Sequence, residues 1–205
     1  MQYEDIYQRE LRTLLIACGA LANEAIAVLK QPGLTHIELT CLPAKLHNTP
    51  QKIPDLLRTK IRENKSKFDK ILVLYGDCGT GGGIDAVLQD EGAERIAGAH
   101  CYEFYTGTQA FDEIADEEPG TFYLTDFLVR HFDTLIWQGL KLDKHPQLLP
   151  QIFGNYKRLV YLAQLSDGRF VEEAKIAAER LGLEFEYVFT GLHTVEDFLF
   201  EKVTT

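Results

Sequence analysis

Lys70-Ile71-Leu72-Val73-Leu74 is the strongest strand signal in the chain, and Tyr75-Gly76-Asp77-Cys78-Gly79-Thr80-Gly81-Gly82-Gly83 follows it directly. A short, continuous apolar run bounded by turn-forming residues is the pattern of a fully buried strand. Outward from it, Thr13 to Ala17 and Ile37 to Leu42 read as earlier buried strands, separated by amphipathic helical stretches at Leu21 to Leu29 and Pro54 to Lys65. The first helix stops at Gln31-Pro32-Gly33, and Pro43, Pro50 and Pro54 mark an irregular connection carrying His47. Strands separated by helices imply right-handed βαβ crossovers, so the expected fold class is α/β, a mainly parallel sheet with helices on both faces.

Past the glycines, Ile84 to Gln89 reads as a short helix and Arg95 to Ala99 as a short fourth strand that delivers His100-Cys101-Tyr102-Glu103. Leu124 to Leu140 has helical periodicity, with Phe127, Leu128, Phe132, Leu135 and Ile136 on core positions. Arg158 to Ala163 reads as a strand, Val171 to Leu181 as a helix closed by Gly182, Glu184 to Phe189 as a last strand and Thr194 to Phe200 as a short helix. This closing β-α-β-α unit echoes the opening one. A single domain over residues 1–205 is expected, with two pseudo-symmetric halves left open.

A formal charge of -10 argues against a general affinity for nucleic acid, since phosphate binding draws on clustered Lys and Arg. Lys60, Arg62, Lys65, Lys67 and Lys70 form the one local concentration of basic residues and read as the solvated face of a helix. The apolar run Leu14 to Ala22 is too short to span a membrane and follows the mixed-charge segment Glu4 to Arg12, so a cytoplasmic protein with no membrane partner is expected. Four cysteines in a chain of this length do not make a disulfide-dense scaffold, which leaves the thiols reduced and free to bind metal or do chemistry.

In an open parallel sheet, ligands bind beyond the carboxyl ends of the strands. Cys18 follows the first strand, Cys78 the third and Cys101 the proposed fourth, which would bring all of them to one edge. Thiolates are soft, anionic ligands suited to zinc or iron, and three from separate loops can hold a metal while leaving a position for water or substrate. His47, after the second strand, is the candidate fourth ligand or proton-transfer group. Glu103, beside Phe104 and Tyr105, is a candidate base or ligand. Cys41 falls inside a strand pattern and reads as a buried hydrophobe, while His36, His131, His145 and His193 read as structural or solvated and His100 ranks below His47. The amides of Gly79, Gly81 and Gly82 could admit a cofactor or cradle an anion, although neither a P-loop nor a dinucleotide fingerprint is present.

The blocks Ala17-Cys18-Gly19-Ala20-Leu21, Leu46-His47-Asn48, Tyr75-Gly76-Asp77-Cys78-Gly79, His100-Cys101-Tyr102-Glu103 and Pro119-Gly120-Thr121-Phe122-Tyr123-Leu124-Thr125 together resemble the prokaryotic domain of unknown function 1638 family. The resemblance runs from about Thr13 to Phe198, and its pattern includes the residues that are here Cys18, His47, Cys78 and Cys101. Some members accompany corrinoid-dependent methyl-transfer systems, so the resemblance implies methyl-group metabolism by association. The expected function is a metalloenzyme using zinc or iron on a small-molecule substrate, in methyl-group or thiol metabolism. A methyltransferase, a lyase and a hydrolase all fit. A non-catalytic metal- or corrinoid-binding accessory protein is the alternative, thiol redox chemistry is a third reading, and homo-oligomerisation is left open.

Overall fold

The computed structural model describes residues 11–204, whose strands form two separate parallel sheets. The segment Glu4 to Arg12 lies, up to residue 10, outside the described residues. The fold is α/β, and the chain divides into two compact units, the first running to Ala97 and taken up again from Phe198, the second covering Gly98–Asp197. One sheet was expected from the sequence; two are present, one in each compact unit.

In the first unit the chain order is β1 (Thr13–Cys18), α1 (Ala22–Leu29), β2 (Glu38–Leu42), α2 (Ile53–Asn64), β3 (Lys70–Leu74), α3 (Gly83–Glu91) and β4 (Glu94–Arg95). The strands lie in the order β2-β1-β3-β4 with every pairing parallel. Every residue of β1 is buried, as are all of β3 beyond Lys70. This explains why these strands appear as continuous apolar runs rather than alternating ones. Burying a side chain such as Leu15, Ile16, Leu72 or Val73 stabilises the fold by about 1.5–3 kcal/mol. The chain steps from β1 outward to β2 and then returns across β1 to β3, so the loops after β1 and β3 flank a topological switch point.

The basic run on α2 is more than a solvated face. Arg58 and Arg62 both donate to the buried carboxylate of Glu91, at 3.1 and 2.8 Å, and the Lys65 ammonium donates to the Glu91 carbonyl at 2.8 Å. These bonds tie α2 to the end of α3, where Gly92 in the left-handed region closes the helix.

In the second unit α4 (Cys101–Thr106) and α5 (Thr108–Glu117) precede β5 (Thr121–Thr125) and α6 (Asp126–Arg130). There follow α7 (Leu149–Phe153), β6 (Arg158–Ala163), α8 (Val171–Leu181), β7 (Glu184–Phe189) and α9 (His193–Thr204), the last continuing into the first unit. The sheet order is β5-β6-β7, all parallel. Beyond β5, the buried Asp126 carboxylate accepts from the Tyr161 hydroxyl at 2.6 Å and from the amides of Gln164 and Leu165 at 3.1 Å each.

The expected helix from Leu124 to Leu140 is corrected here. Leu124 belongs to β5, and the helix begins only at Asp126 because the Thr125 hydroxyl caps it, accepting from the Leu128 amide at 3.4 Å. The helix ends at Arg130 and a π-helical turn occupies Asp133–Trp137. Of the expected core positions Phe132 and Ile136 are buried, Phe127 and Leu128 half-buried, and Leu135 is 41% exposed. The fourth strand is also shorter than expected: only Glu94 and Arg95 pair, against Leu72 and Val73 of β3. Among the described residues no helix is long and apolar enough to cross a membrane.

Candidate functional site

The carboxyl ends of β2, β1 and β3 lie side by side, because Cys18 pairs with Leu42 on one side while Ala17 pairs with Leu74 on the other. Each strand is followed by a segment carrying one chemically active side chain. Cys18 is the last residue of β1 and caps the turn Gly19–Leu21, its sulfur accepting from the Ala20 amide at 3.4 Å. His47 sits in the 3-10 turn Ala44–Asn48 after β2. Cys78 lies in the glycine loop after β3 and is held in the left-handed region, at φ 50°. A non-glycine residue in that region is sterically disfavoured, so the surrounding loop must impose it.

Asp77 supplies that constraint. Its carboxylate accepts from the Thr80 hydroxyl at 2.6 Å, the Gly82 amide at 2.8 Å and the Gly81 amide at 3.0 Å, which bends the loop around the side chain. The Thr80 hydroxyl, followed by the Gly82 and Gly81 amides, holds the Asp77 carboxyl below the ordinary carboxylate range. The anion cradle expected from Gly79, Gly81 and Gly82 is altered accordingly, since the Gly81 and Gly82 amides already serve an anion belonging to the chain. Gly19 has a different role: a Cβ there would lie 2.9 Å from the Leu42 carbonyl oxygen and 3.0 Å from the Ala44 amide nitrogen. Its missing side chain lets the segment carrying His47 close against the end of β1.

The result is a cluster of sulfur and imidazole. His47 Nδ1 is 3.7 Å from Cys18 Sγ and 2.9 Å from the Ala44 carbonyl oxygen. A carbonyl can only accept, so Nδ1 carries a proton toward it and Nε2 is the nitrogen left with a lone pair in the neutral ring. The thiols raise the His47 imidazole from 6.5 to about 11, with Cys18 the larger cause and Cys78 the second, against the opposing effect of burial. The outer side of the ring is exposed, and water there screens part of this pull. Cys41, on β2 opposite Ala17, has its thiol pushed up by burial and then by the neighbouring Cys18 sulfur, which keeps it protonated and makes it the poorer ligand.

Tyr75 is the residue the sequence reading passed over. It is 0% exposed, stacks on the His47 ring with centroids 6.2 Å apart and planes at 15°, and is acted on by the sulfurs of Cys18, Cys78 and Cys41. Burial raises its hydroxyl far above the ordinary phenol range, and Cys18 adds to that. What this buried hydroxyl leans on is the Cys18 sulfur, a weak acceptor, rather than a nitrogen or oxygen partner. The signal was present: a tyrosine ending an aliphatic strand places a polar tip where the preceding side chains are buried.

Cys101 and Glu103 belong to the second unit. Cys101 opens α4, and the Glu103 carboxylate caps that helix, accepting from the amides of Ala99 at 2.9 Å and His100 at 3.1 Å and from the Thr108 hydroxyl at 3.2 Å. This is a capping role. Among the described residues no three His, Cys, Asp or Glu side chains stand in an arrangement that would hold a metal ion as they are. Cys18, His47 and Cys78 are brought together, but not at ligand spacing.

Residues 41–199 match the family described as Protein of unknown function (DUF1638). The chain belongs to this family. The match begins at Cys41 and so takes in His47, Tyr75 and Cys78, with Cys18 upstream of it. No curated protein and no solved structure matches the chain.

Proposed function

We propose that this DUF1638 protein is a metal-dependent enzyme acting on a small molecule, with zinc or iron held by Cys18, Cys78 and His47 at the switch point of the first sheet. The observation that carries this reading is the convergence of two thiols and one imidazole, each from a different strand end, with Cys78 held in a disfavoured backbone conformation. Two thiolates and a neutral imidazole form a soft donor set suited to zinc or ferrous iron, and their charges balance a divalent ion. The Nδ1 contact with the Ala44 carbonyl would orient the ring, as hydrogen bonds behind metal-bound histidines commonly do. Binding entails side-chain movement, because the trio does not yet stand at ligand spacing. With three protein ligands a metal would keep a fourth position for water or substrate. Metal bound there would activate a substrate thiol, as in methyl transfer, or polarise a carbonyl or water. The reading rests on the first unit's groups alone and gives Cys101 and Glu103 no role.

Elemental analysis of protein purified without chelators tests this. Near-stoichiometric zinc or iron is expected in the wild type and in Cys41→Ala, with loss in Cys18→Ala and Cys78→Ala. Equal metal content in all of these variants would refute the site. A second reading, thiol chemistry without metal, is favoured by the Cys18–His47 contact, since an imidazolium beside sulfur supports a thiolate nucleophile. It predicts fast, chelator-insensitive alkylation of Cys18 or Cys78 that slows in His47→Gln.

A further inference from the structure

A bond between two sulfurs asks for no third donor, and all four cysteines of the chain are free thiols. Cys18 and Cys78 are the pair that the fold brings together. Both sulfurs act on the one His47 ring, Cys18 from 3.7 Å, and both act on the Tyr75 hydroxyl. Ala17 pairs with Leu74, so the two cysteines leave from neighbouring strand ends about 4.8 Å apart. Their settings differ. Cys18 ends β1 and is 2% exposed, whereas Cys78 is half-buried and stands in a tight turn that the Thr80 amide closes on the Asp77 carbonyl at 3.0 Å. With φ at 50° for Cys78 and 81° for Gly79, both central residues of that turn are left-handed, as in a type I′ turn. A reagent from solvent therefore meets the Cys78 sulfur before the Cys18 sulfur.

We propose that Cys18 and Cys78 form a dithiol–disulfide couple that exchanges electrons with a small-molecule disulfide, Cys78 attacking and Cys18 resolving. This rests on the thiol reading of the centre given above, needs no metal, and adds the class of substrate. The Cys78 thiolate attacks one sulfur of the small disulfide, forming a mixed disulfide and releasing one half as a thiolate. The Cys18 thiolate then attacks the Cys78 sulfur, which forms the internal disulfide and releases the other half. The two thiol protons of the protein pass to the released thiolates. One protein dithiol and one small disulfide thus give one protein disulfide and two small thiols, and the reverse sequence reduces the protein again. The second step joins sulfurs at about 2.0 Å, which the side chains reach when their Cα atoms stand within about 7 Å. Gly79, with no Cβ and a left-handed backbone, gives the chain beside Cys78 the freedom to make that approach.

The test uses the full chain, reduced and held under a chelator, with glutathione disulfide as the probe and intact mass with peptide mapping as the readout. Wild type and Cys41→Ser are expected to lose two hydrogens and to yield a Cys18–Cys78 cross-link that reduced glutathione reverses. Cys18→Ser is expected to stop at a stable glutathione adduct on Cys78, because no thiol remains to resolve it. Cys78→Ser should react at least about tenfold more slowly, since exchange depends on access and Cys18 is buried. The wild-type cross-link is read without any substitution, so a variant that fails to fold leaves the test standing. A wild type without this cross-link, whether it collects separate adducts or bridges Cys41, would overturn the couple, and fast alkylation of its thiols would then leave the thiol reading intact. Slow alkylation that His47→Gln does not change would remove both.

Discussion

Replacing Asp77 by alanine removes the one side chain that organises the loop carrying Cys78. Its carboxylate accepts three hydrogen bonds, from Thr80 Oγ1 and the Gly81 and Gly82 amides, at 2.6, 3.0 and 2.8 Å. A bond of this kind contributes about 1 kcal/mol net when partly exposed, and more when it is to a buried charge. The left-handed backbone of Cys78, costing about 1–2 kcal/mol, is free to relax in the variant and offsets part of the loss. Asp77→Ala should therefore destabilise the protein by about 1–3 kcal/mol, read as a fall in urea midpoint at unchanged slope. Asp77→Asn, which keeps one acceptor oxygen and loses the charge, should fall between. If Cys78 owes its position to this loop, metal content should drop in step with stability. A variant within about 0.5 kcal/mol of wild type that keeps its metal would refute the argument that Asp77 sets the site, because ordinary surface substitutions lie in that range.

Gly19→Ala places a methyl against the Leu42 carbonyl oxygen and the Ala44 amide, so it should cost about 1–3 kcal/mol and weaken metal binding by moving His47 away from Cys18; equal thermal stability and metal content would count against the close approach. The pH dependence has two opposed parts. In the metal-free protein the raised His47 value stabilises the fold fully below the ordinary 6.5 and is lost as pH rises through about 11. Metal must displace that proton, so its affinity should climb with pH over the same window, with proton release measurable by calorimetry in buffers of different ionisation enthalpy; affinity independent of pH would exclude His47 as a ligand.

The strands at Thr13 and Lys70 were legible because burial on both faces writes itself as uninterrupted apolar sequence, while β2, mostly half-buried, carries Glu38 and Thr40 within its run; their common direction placed Cys18, His47 and Cys78 at one edge. The sequence of the second half was read to the residue for β6, α8 and β7. It failed at Leu124, where a strand ends against a helix with apolar residues continuous across the junction, so that only the Thr125 cap marks the boundary. The capping role of Glu103 was hidden for another reason. A carboxylate that caps a helix and one that serves a reaction have the same composition, and only their hydrogen-bond partners separate them. Tyr75 escaped because a buried tyrosine is ordinary until its hydroxyl is found against sulfur, with no nitrogen or oxygen partner.

X-ray absorption at the zinc or iron edge of the protein as purified tests the central claim most directly, since it counts the donor atoms around the metal. The account predicts two sulfurs at about 2.3 Å and one imidazole nitrogen at about 2.0–2.1 Å, with a further light atom or sulfur from the fourth ligand. A shell of oxygen atoms alone, or an edge too weak for a stoichiometric metal, would contradict it.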